Sequence, residues 1–600
     1  MSSSALSFAA FELLSVLLMG PVTYHHPLCL VLAVYVAGCT SAQIKPTTRQ
    51  PSPEPVWAAN SDQFGYHQIR TDQSGNIVPW FGDDPAAAYD HVIKLVWNFW
   101  DRMPIDRNGL PYYMNHQVWR PKLDDHRGIG GDQIAMAMSS WALLYQYQGS
   151  FTNRAHDRIV ENMKFMADWY LTHSLSAATA EWAHIPYPYN TLIYSGTFDG
   201  DMVIGAGYTQ PDKAGSFGAE LITLYKITGN ERYLQAAIAI ADTLAKHTQP
   251  GDNDHSPMPF KVHAQTGKLG QLAKAKDAKA DQPAVFSSYT TNWVGTIELF
   301  AALEQLRADQ QHESAVAETG HSTQPIDLSA EQIASYKQAR ERILQWMIAY
   351  PLKTNKWGPF FEDVWGWSDT QINAVTFAEY IMNHPAEFAD WQREVRGVLD
   401  WVEKTLANEK WKKYGVTAIN EQTAYRQPGN SHSARQAAAE LRLAELTGNS
   451  ERKGMAIRRL NWATYTVDVD GKNFYPGDDI WLTDGYGDYV RHYLRAMAAA
   501  PELAPADQDH ILRSTSVVSR VSYGVQMTSY ATHSPASTET IRMAAPPKRV
   551  WLGNPETPAQ GPDLPAAPLH QGQSWTWRPL ANGGVLSVRH TTDGRVNIVK

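Results

Sequence analysis

The chain has 600 residues and 67.1 kDa, 43% of them hydrophobic and 19% charged, enough apolar material for one large core or several domains. A net charge of −9 and a pI near 6.2 argue against nucleic-acid binding, which usually brings a basic face or tail, so no nucleic-acid partner is expected. The two cysteines, Cys29 and Cys39, both precede residue 40. The body of the protein therefore has no thiol, which excludes cysteine nucleophiles, zinc–thiolate sites and iron–sulfur clusters.

The N-terminus holds two apolar runs, 5–22 and 27–37, broken by Pro21 and His25-His26. The second run closes on Val36-Ala37-Gly38-Cys39, a tetrad that resembles a bacterial lipoprotein lipobox. The resemblance implies a signal peptide over 1–39 and a lipid on Cys39 as the mature first residue. It also implies an exported protein, periplasmic or on the cell surface, that meets the membrane through that lipid. The alternative is a plain export signal or an anchor helix, and one departure from the lipoprotein pattern is that no Lys or Arg precedes the apolar segment. Residues 40–60, with Pro46, Pro51, Pro53 and Pro55, read as an extended tether.

From there apolar residues recur at spacings of three and four, and helices are expected over 89–102, 132–147, 156–173, 214–228, 231–247 and 293–308. Further helices are expected over 330–349, 370–382, 391–406, 432–446, 451–466 and 484–497. Ser368 with Gln371 reads as a capping box, Asp212 as a cap, and 309–329 as a surface excursion. Long loops rich in Tyr, Trp, Asn, Asp, Gly and Pro alternate with short turns; 181–218 is one of them and far exceeds an ordinary connection. The stretch ELITLYKITGNERYLQAAIAIA echoes AAELRLAELTGNSERKGMAIRR, so the repeating unit is a helical hairpin turned by Thr-Gly-Asn. Six hairpins closed into a ring would bury every apolar face and place all the long loops on one rim. After 505 short alternating runs separated by Pro, Gly and Asn indicate strands, hence a small β domain over 506–600.

Hairpin count, loop alternation and aromatic loops make the chain resemble the six-hairpin glycosidase-like class, over roughly 90–500. The resemblance implies a mainly α protein, an (α/α)6 toroid filling 61–505. It implies an enzyme that cleaves glycosidic bonds by hydrolysis or by β-elimination at uronic acids, or, less often, epimerises sugars. No cofactor and no metal are expected; Asp468, Asp470, Asp478 and Asp479 leave a calcium site open, though DVDGKN lacks the later ligands of an EF-hand loop.

Hydrolysis needs two carboxyl groups facing each other across a cleft, and the loops offer many. Asp132, Asp212 and Asp484 stand where helices begin, which favours a capping role, although Asp212 stays among the catalytic candidates. Asp201 in FDGDM and Glu362 in PFFED are mid-loop, flanked by apolar or glycine residues that would desolvate a carboxyl and raise its pKa. β-Elimination needs a group that neutralises the uronate and a Tyr or His that removes a proton; His432 and Tyr486 are the candidates. Substrate contacts are expected from Asn115, His116, Arg120, Tyr189, Asn190, Lys213, Tyr289, Asn292, Trp293, Trp357, Arg426 and Asn430. Loop aromatics suit sugar faces, and rim cations such as Arg120, Lys213 and Arg426 suit an acidic glycan. Hydrolysis leads on the number of loop carboxylates, with a polysaccharide lyase next and a non-catalytic glycan-binding lipoprotein as the alternative from another class.

Overall fold

The computed structural model describes residues 64–600 apart from 107, 116–117, 121–122, 125–129, 149–152, 193–194, 272–285, 317–327, 362–365, 430, 477–480, 554–562, 566–571 and 593. For 115, 118–120, 123–124, 132, 153–156, 311–316 and 481–484 it describes the backbone alone. Cys39, the signal segment and the tether lie outside the described residues.

Twelve long helices stand among the described residues: α1 Pro85–Asp101, α2 Gly131–Tyr147, α3 Asn153–His173, α4 Pro211–Thr228, α5 Glu231–His247 and α6 Val294–Val316. The other six are α7 Ala330–Ala349, α8 Gln371–Asn383, α9 Trp391–Leu406, α10 His432–Thr447, α11 Lys453–Thr464 and α12 Thr483–Ala499. Their ends follow local chemistry. Gly229 and Gly448 take φ of 70° and 72°, the left-handed conformation that costs glycine least, and stop α4 and α10 in the two Thr-Gly-Asn turns. Asn230 Oδ1 then accepts from Arg232 N and caps α5, a contribution of about 1 kcal/mol.

Three local expectations change. α1 begins at Pro85 because Asp84 caps it and proline's fixed φ suits the first turn. α6 runs on to Val316, through the first part of the segment expected as an excursion. Ser368 does not cap α8: Thr370 holds that position, Ser368 Oγ accepts from Ala424 N, and the Gln371 side chain turns inward to Arg435.

The even-numbered helices pack in the cyclic order α2–α4–α6–α8–α10–α12 and back to α2. Each odd-numbered helix packs outside one of them: α3 on α2, α5 on α4, α7 on α6, α9 on α8, α11 on α10 and α1 on α12. The ring closes because small residues let inner helices approach. A Cβ on Gly215 would collide with the Thr296 side chain, and one on Gly295 would fall 2.5 Å from Ser216 Oγ. Gly487 lies against Ala137 in the same way where α12 meets α2.

The long loops precede the inner helices and join one another around one rim. Trp182 N donates to Ala264 O (2.9 Å), Thr290 Oγ1 to Pro359 O (2.8 Å), and Thr370 bridges Gln422. Val118–Arg120 pairs with Trp481–Leu482. At the opposite end eight strands form two antiparallel four-stranded sheets. They are β1 His510–Ser514, β2 Val518–Tyr523, β3 Met527–Thr532, β4 Ser537–Met543, β5 Arg549–Leu552, β6 Ser574–Pro579, β7 Gly584–His590 and β8 Val596–Val599. The sheet orders are β1-β4-β7-β6 and β2-β3-β8-β5. They dock on the C-terminal end of α2, where His510 stacks on Tyr147 at 4.1 Å and Tyr523 donates to Gln146 O.

Candidate functional site

Two clusters of polar side chains sit beneath the long-loop rim. The first gathers at the start of α4. Asp201 lies in a two-residue strand, Gly200–Asp201, turned back on Gly205–Ala206. Its carboxylate accepts from Val203 N and Ile204 N (2.9 Å each), from Gln210 Nε2 (2.6 Å) and from Lys261 Nζ (3.1 Å). Both Asp201 and Lys261 are fully buried. Burial alone would push the Asp201 carboxyl up, but the Lys261 ammonium, then Ile204 N–H, Val203 N–H and the Gln210 amide, hold it below the usual value. This reverses the sequence expectation of a protonated acid. The reason is a cation sixty residues away, brought in because Tyr208–Thr209 pairs with Val262–His263.

Asp212 does not cap α4; it is the second residue of its first turn, with Gln210 in the cap position and Pro211 between. Its Oδ2 accepts from Asn292 Nδ2 (2.9 Å) and lies 3.5 Å from Lys213 Nζ. Lys213 is itself buried, donates to Phe360 O (2.8 Å) and stands 3.4 Å from the Phe360 ring centroid. These groups tie the loop before α8 down onto α4 rather than meeting solvent.

The second cluster surrounds the start of α10. His432 is its first helical residue and is buried. Gln371 Nε2 donates to the His432 carbonyl (3.2 Å) and Gln371 Oε1 accepts from Arg435 (2.6 Å). Arg435 pairs with Asp488, which also accepts from Ser431, from Arg491 Nε (3.0 Å) and contacts His492 Nε2 (3.1 Å). Burial opposes that charge, yet Arg435, Arg491 and His492 hold the Asp488 carboxyl well below the usual range.

Neither His432 ring nitrogen has a hydrogen-bond partner among the described residues. Burial, with the Arg435 cation beside it, pushes the imidazole down to about 3 against the pull of Asp488. Facing it is Glu421. A Cβ on Gly429 would collide with His432 Nδ1 and fall 2.7 Å from Glu421 Oε1, so only glycine lets imidazole and carboxylate look at each other here. Glu421 in turn accepts from the half-buried Tyr475 hydroxyl, and the Phe361 ring lies 6.1 Å from the imidazole. A neutral imidazole, a carboxylate and a phenol from two neighbouring rim loops thus come together, a set suited to moving protons.

The expected residues divide. His432, Asp212, Lys213 and Asn292 come beneath the rim, as does Asp201. Arg426 is exposed on the Glu421 loop. Tyr486 is a correction: it is fully buried, stacks on Phe99 at 5.5 Å, and accepts from Asn473 N (3.0 Å). Burial pushes its hydroxyl well above the ordinary tyrosine value, which disqualifies it as a base. Tyr189, Asn190, Trp293 and Trp357 are likewise fully buried, and Tyr289 nearly so, with its hydroxyl donating to Lys356 O (2.6 Å). They pack the inner layer of the loops instead of stacking on sugar. Exposed aromatics on the long loops include Phe286, Trp367 and Tyr425. His116, Glu362 and Asn430, and the side chains of Asn115 and Arg120, lie outside the described residues, as do Asp363, Asp478 and Asp479 and the side chains of Asp132 and Asp484. Tyr475 is the residue sequence reading missed; an aromatic followed by Pro-Gly in a rim loop was the available signal. Among the described residues no three His, Cys, Asp or Glu side chains gather to hold a metal.

The helical ring places the chain in one architecture. The fold is an (α/α)6 toroid. Solved structures of similar fold include a cellobiose 2-epimerase from Spirochaeta thermophila, at TM-score 0.48 and 12% identity over 70% of this chain and 97% of that one. A GH76 α-mannanase from Bacteroides thetaiotaomicron matches at 0.41 and 12%, covering 69% and 98%. An unsaturated glucuronyl hydrolase specific for heparin matches at 0.40 and 8%, covering 70% and 99%. Likeness at this level concerns the helical ring alone. No family model and no curated protein matches the chain.

Proposed function

We propose that the protein is a carbohydrate-active enzyme whose reaction runs at the long-loop rim on an acidic oligo- or polysaccharide, with His432 moving the proton. The observation that carries this reading is the buried, neutral imidazole whose nitrogens have no hydrogen-bond partner among the described residues, set against the Glu421–Tyr475 pair. Stability alone gives no reason to bury a polar ring without partners, since each unsatisfied polar group costs about 1–3 kcal/mol. A substrate carboxylate entering beside the ring would raise its pKa and let it hold a proton. A neutral sugar would not, so the arrangement selects for uronic acids and favours β-elimination.

Hydrolysis, the first expectation from the sequence, is the second reading. It is favoured by Glu421, a rim carboxylate that keeps the Tyr475 hydroxyl at hand. The carboxylate at Asp201 does not serve it, being neutralised by Lys261. Incubation with a panel of uronic-acid glycans, following new reducing ends together with the ultraviolet absorbance of unsaturated uronate, separates the two. Both signals support elimination; reducing ends without absorbance support hydrolysis; neither signal on a bound glycan supports a binding lipoprotein and overturns the enzymatic reading.

The proposal includes the place of action. VAGC closing an apolar run ahead of a Pro-rich segment supports export and a lipid on Cys39. Mass spectrometry of the membrane fraction is expected to find that residue as a lipidated N-terminus, and an unmodified soluble product cut elsewhere would sink the idea.

A further inference from the structure

Several aromatic side chains of the rim loops are packed away, but Trp367 is not. Tyr289, Trp293 and Trp357 are 3% exposed or less, whereas 38% of Trp367 meets solvent. The ring is nonetheless held in place. Its indole Nε1 donates to Asp369 Oδ2 (3.0 Å), and Asp369 Oδ1 accepts from Trp357 N (2.8 Å) and Gly358 N (2.9 Å). Tyr289 packs against it with ring centroids 5.2 Å apart, and Lys356 Nζ stands 5.0 Å from the Trp367 ring centroid. Lys356 is fixed in turn by Asn253 O (2.6 Å) and Asp254 Oδ1 (2.8 Å). Gly358 allows this backing: it takes φ of 67°, and a Cβ there would fall 2.7 Å from Tyr289 Cδ1 and 3.5 Å from Trp367 Cη2. A large apolar ring that is anchored on one side while the rest of it stays wet is arranged to receive something flat.

The backbone connects this ring to the group around His432. Residues 368–371 run beside 421–424: Gln371 N donates to Glu421 O (3.0 Å), Thr370 bridges Gln422, Thr423 N donates to Asp369 O (3.0 Å) and Ala424 N to Ser368 Oγ (3.2 Å). Gln371 is also the residue whose amide donates to the His432 carbonyl. Four residues of chain reach no farther than about 14 Å, so Trp367 lies along the rim at a distance that a short oligosaccharide can span. Phe361, not Trp367, is the ring beside the imidazole, at 6.1 Å. On the opposing segment the residues after Ala424 are Tyr425 and Arg426, both exposed. A guanidinium at this place suits the carboxylates of uronic acids.

We propose that Trp367 is the stacking platform of a second sugar-binding subsite, taking a uronic-acid ring of the glycan away from the bond presented to His432. This subsite rests on the reading of the rim as a glycan site and adds chain length to it: polymers and longer oligomers are preferred to the shortest glycan accepted. The apolar C–H face of the sugar lies on the exposed indole, and Arg426 meets its carboxylate. Because the indole is already fixed, little side-chain freedom is lost on binding. A platform remote from the reacting atoms holds ground state and transition state alike, so its loss raises KM rather than lowering kcat.

Affinity electrophoresis of the full chain through gels holding polygalacturonate, alginate or hyaluronate tests this. At least one of them should retard the wild type. Trp367→Ala should bind that glycan about tenfold more weakly or worse, and Trp367→Phe, which keeps a flat ring, should fall between. On a glycan that is cleaved, Trp367→Ala should lower kcat/KM for the longest oligomer relative to the shortest by about the same factor, through KM. Equal retardation of the wild type and Trp367→Ala, or a fall in kcat with KM unchanged, would overturn the subsite and leave the reaction at His432 to the cleavage assay. Retardation lost in Trp367→Ala from a wild type that cleaves nothing would support the subsite and overturn the enzymatic reading instead. No retardation of the wild type by any of the gels would overturn the subsite. Thermal midpoints measured alongside confirm that the variants are folded. If Trp367→Ala nonetheless fails to fold, oxidation of Trp367 by N-bromosuccinimide in the wild type, read by mass spectrometry, decides: protection by the retarding glycan supports the subsite and its absence overturns it.

Discussion

Replacing Asp201 by Asn separates the role the structure gives this residue from the one its sequence context suggests. The side chain accepts from two backbone N–H groups, from Gln210 and from the buried Lys261 ammonium. Asparagine keeps the shape and one acceptor oxygen but takes away the carboxylate charge that faces this ammonium at a buried site. Removing one partner of a buried ion pair costs about 3–5 kcal/mol, mostly through the orphaned charge. The cost falls on the pairing of Gly200–Asp201 with Gly205–Ala206 and on the loop contact to Val262–His263 that orders the entry to α4. Thermal and urea unfolding should therefore both shift, the thermal midpoint by several degrees, since about 2–4 °C per kcal/mol is usual for chains of 150–250 residues and less for larger ones. Adding Lys261→Met, which removes the orphaned charge, should recover most of the loss. An Asp201→Asn protein that melts like the wild type but cannot turn over its glycan would refute this reasoning and restore Asp201 as a catalytic acid.

Other outcomes follow from the same structure. His432→Ala, Glu421→Gln and Tyr475→Phe should each lower turnover on the cleaved glycan by about 10²–10⁴, with the unfolding midpoint of His432→Ala close to that of the wild type. Tyr486→Phe should keep turnover while costing about 1–3 kcal/mol in unfolding experiments, because Asn473 N–H loses its acceptor inside the core. Gly215→Ala should destabilise through the collision with Thr296, and Thr296→Ala introduced with it should relieve part of that cost. Burial, and Glu298 beside it, raise the Glu220 carboxyl from 4.5 to about 7. The folded state then holds more protons than the unfolded one, so this stabilising contribution is complete below 4.5 and is lost as pH rises through 7. Asp201 and Asp488 have depressed pKa values, and their contribution is lost as pH falls below 3.8 toward their folded values. Melting of Glu220→Gln across this range should show a smaller loss on the alkaline side than the wild type does; an identical profile would exclude Glu220 as the source.

Sequence periodicity and turn chemistry determined the helices, and with them the ring. Apolar residues three and four apart and Thr-Gly-Asn at two hairpin turns are local signals, and each acts through neighbours a few positions away. The same local signals placed His432 at a helix start beneath the rim. What the sequence did not determine is which charged and aromatic loop residues meet solvent. Asp201 reads as an isolated, desolvated acid until Lys261 arrives from another loop, and Tyr486 reads as a rim base until α12 turns it toward Phe99. Trp293 and Trp357 read as sugar platforms although the loops are thick enough to have a core of their own. Tyr475 joins Glu421 and His432 only because the packing of neighbouring hairpins brings their loops together. Pairing and burial depend on distances between loops and helices that no local pattern encodes, so tertiary structure decided the chemistry that local sequence could only supply.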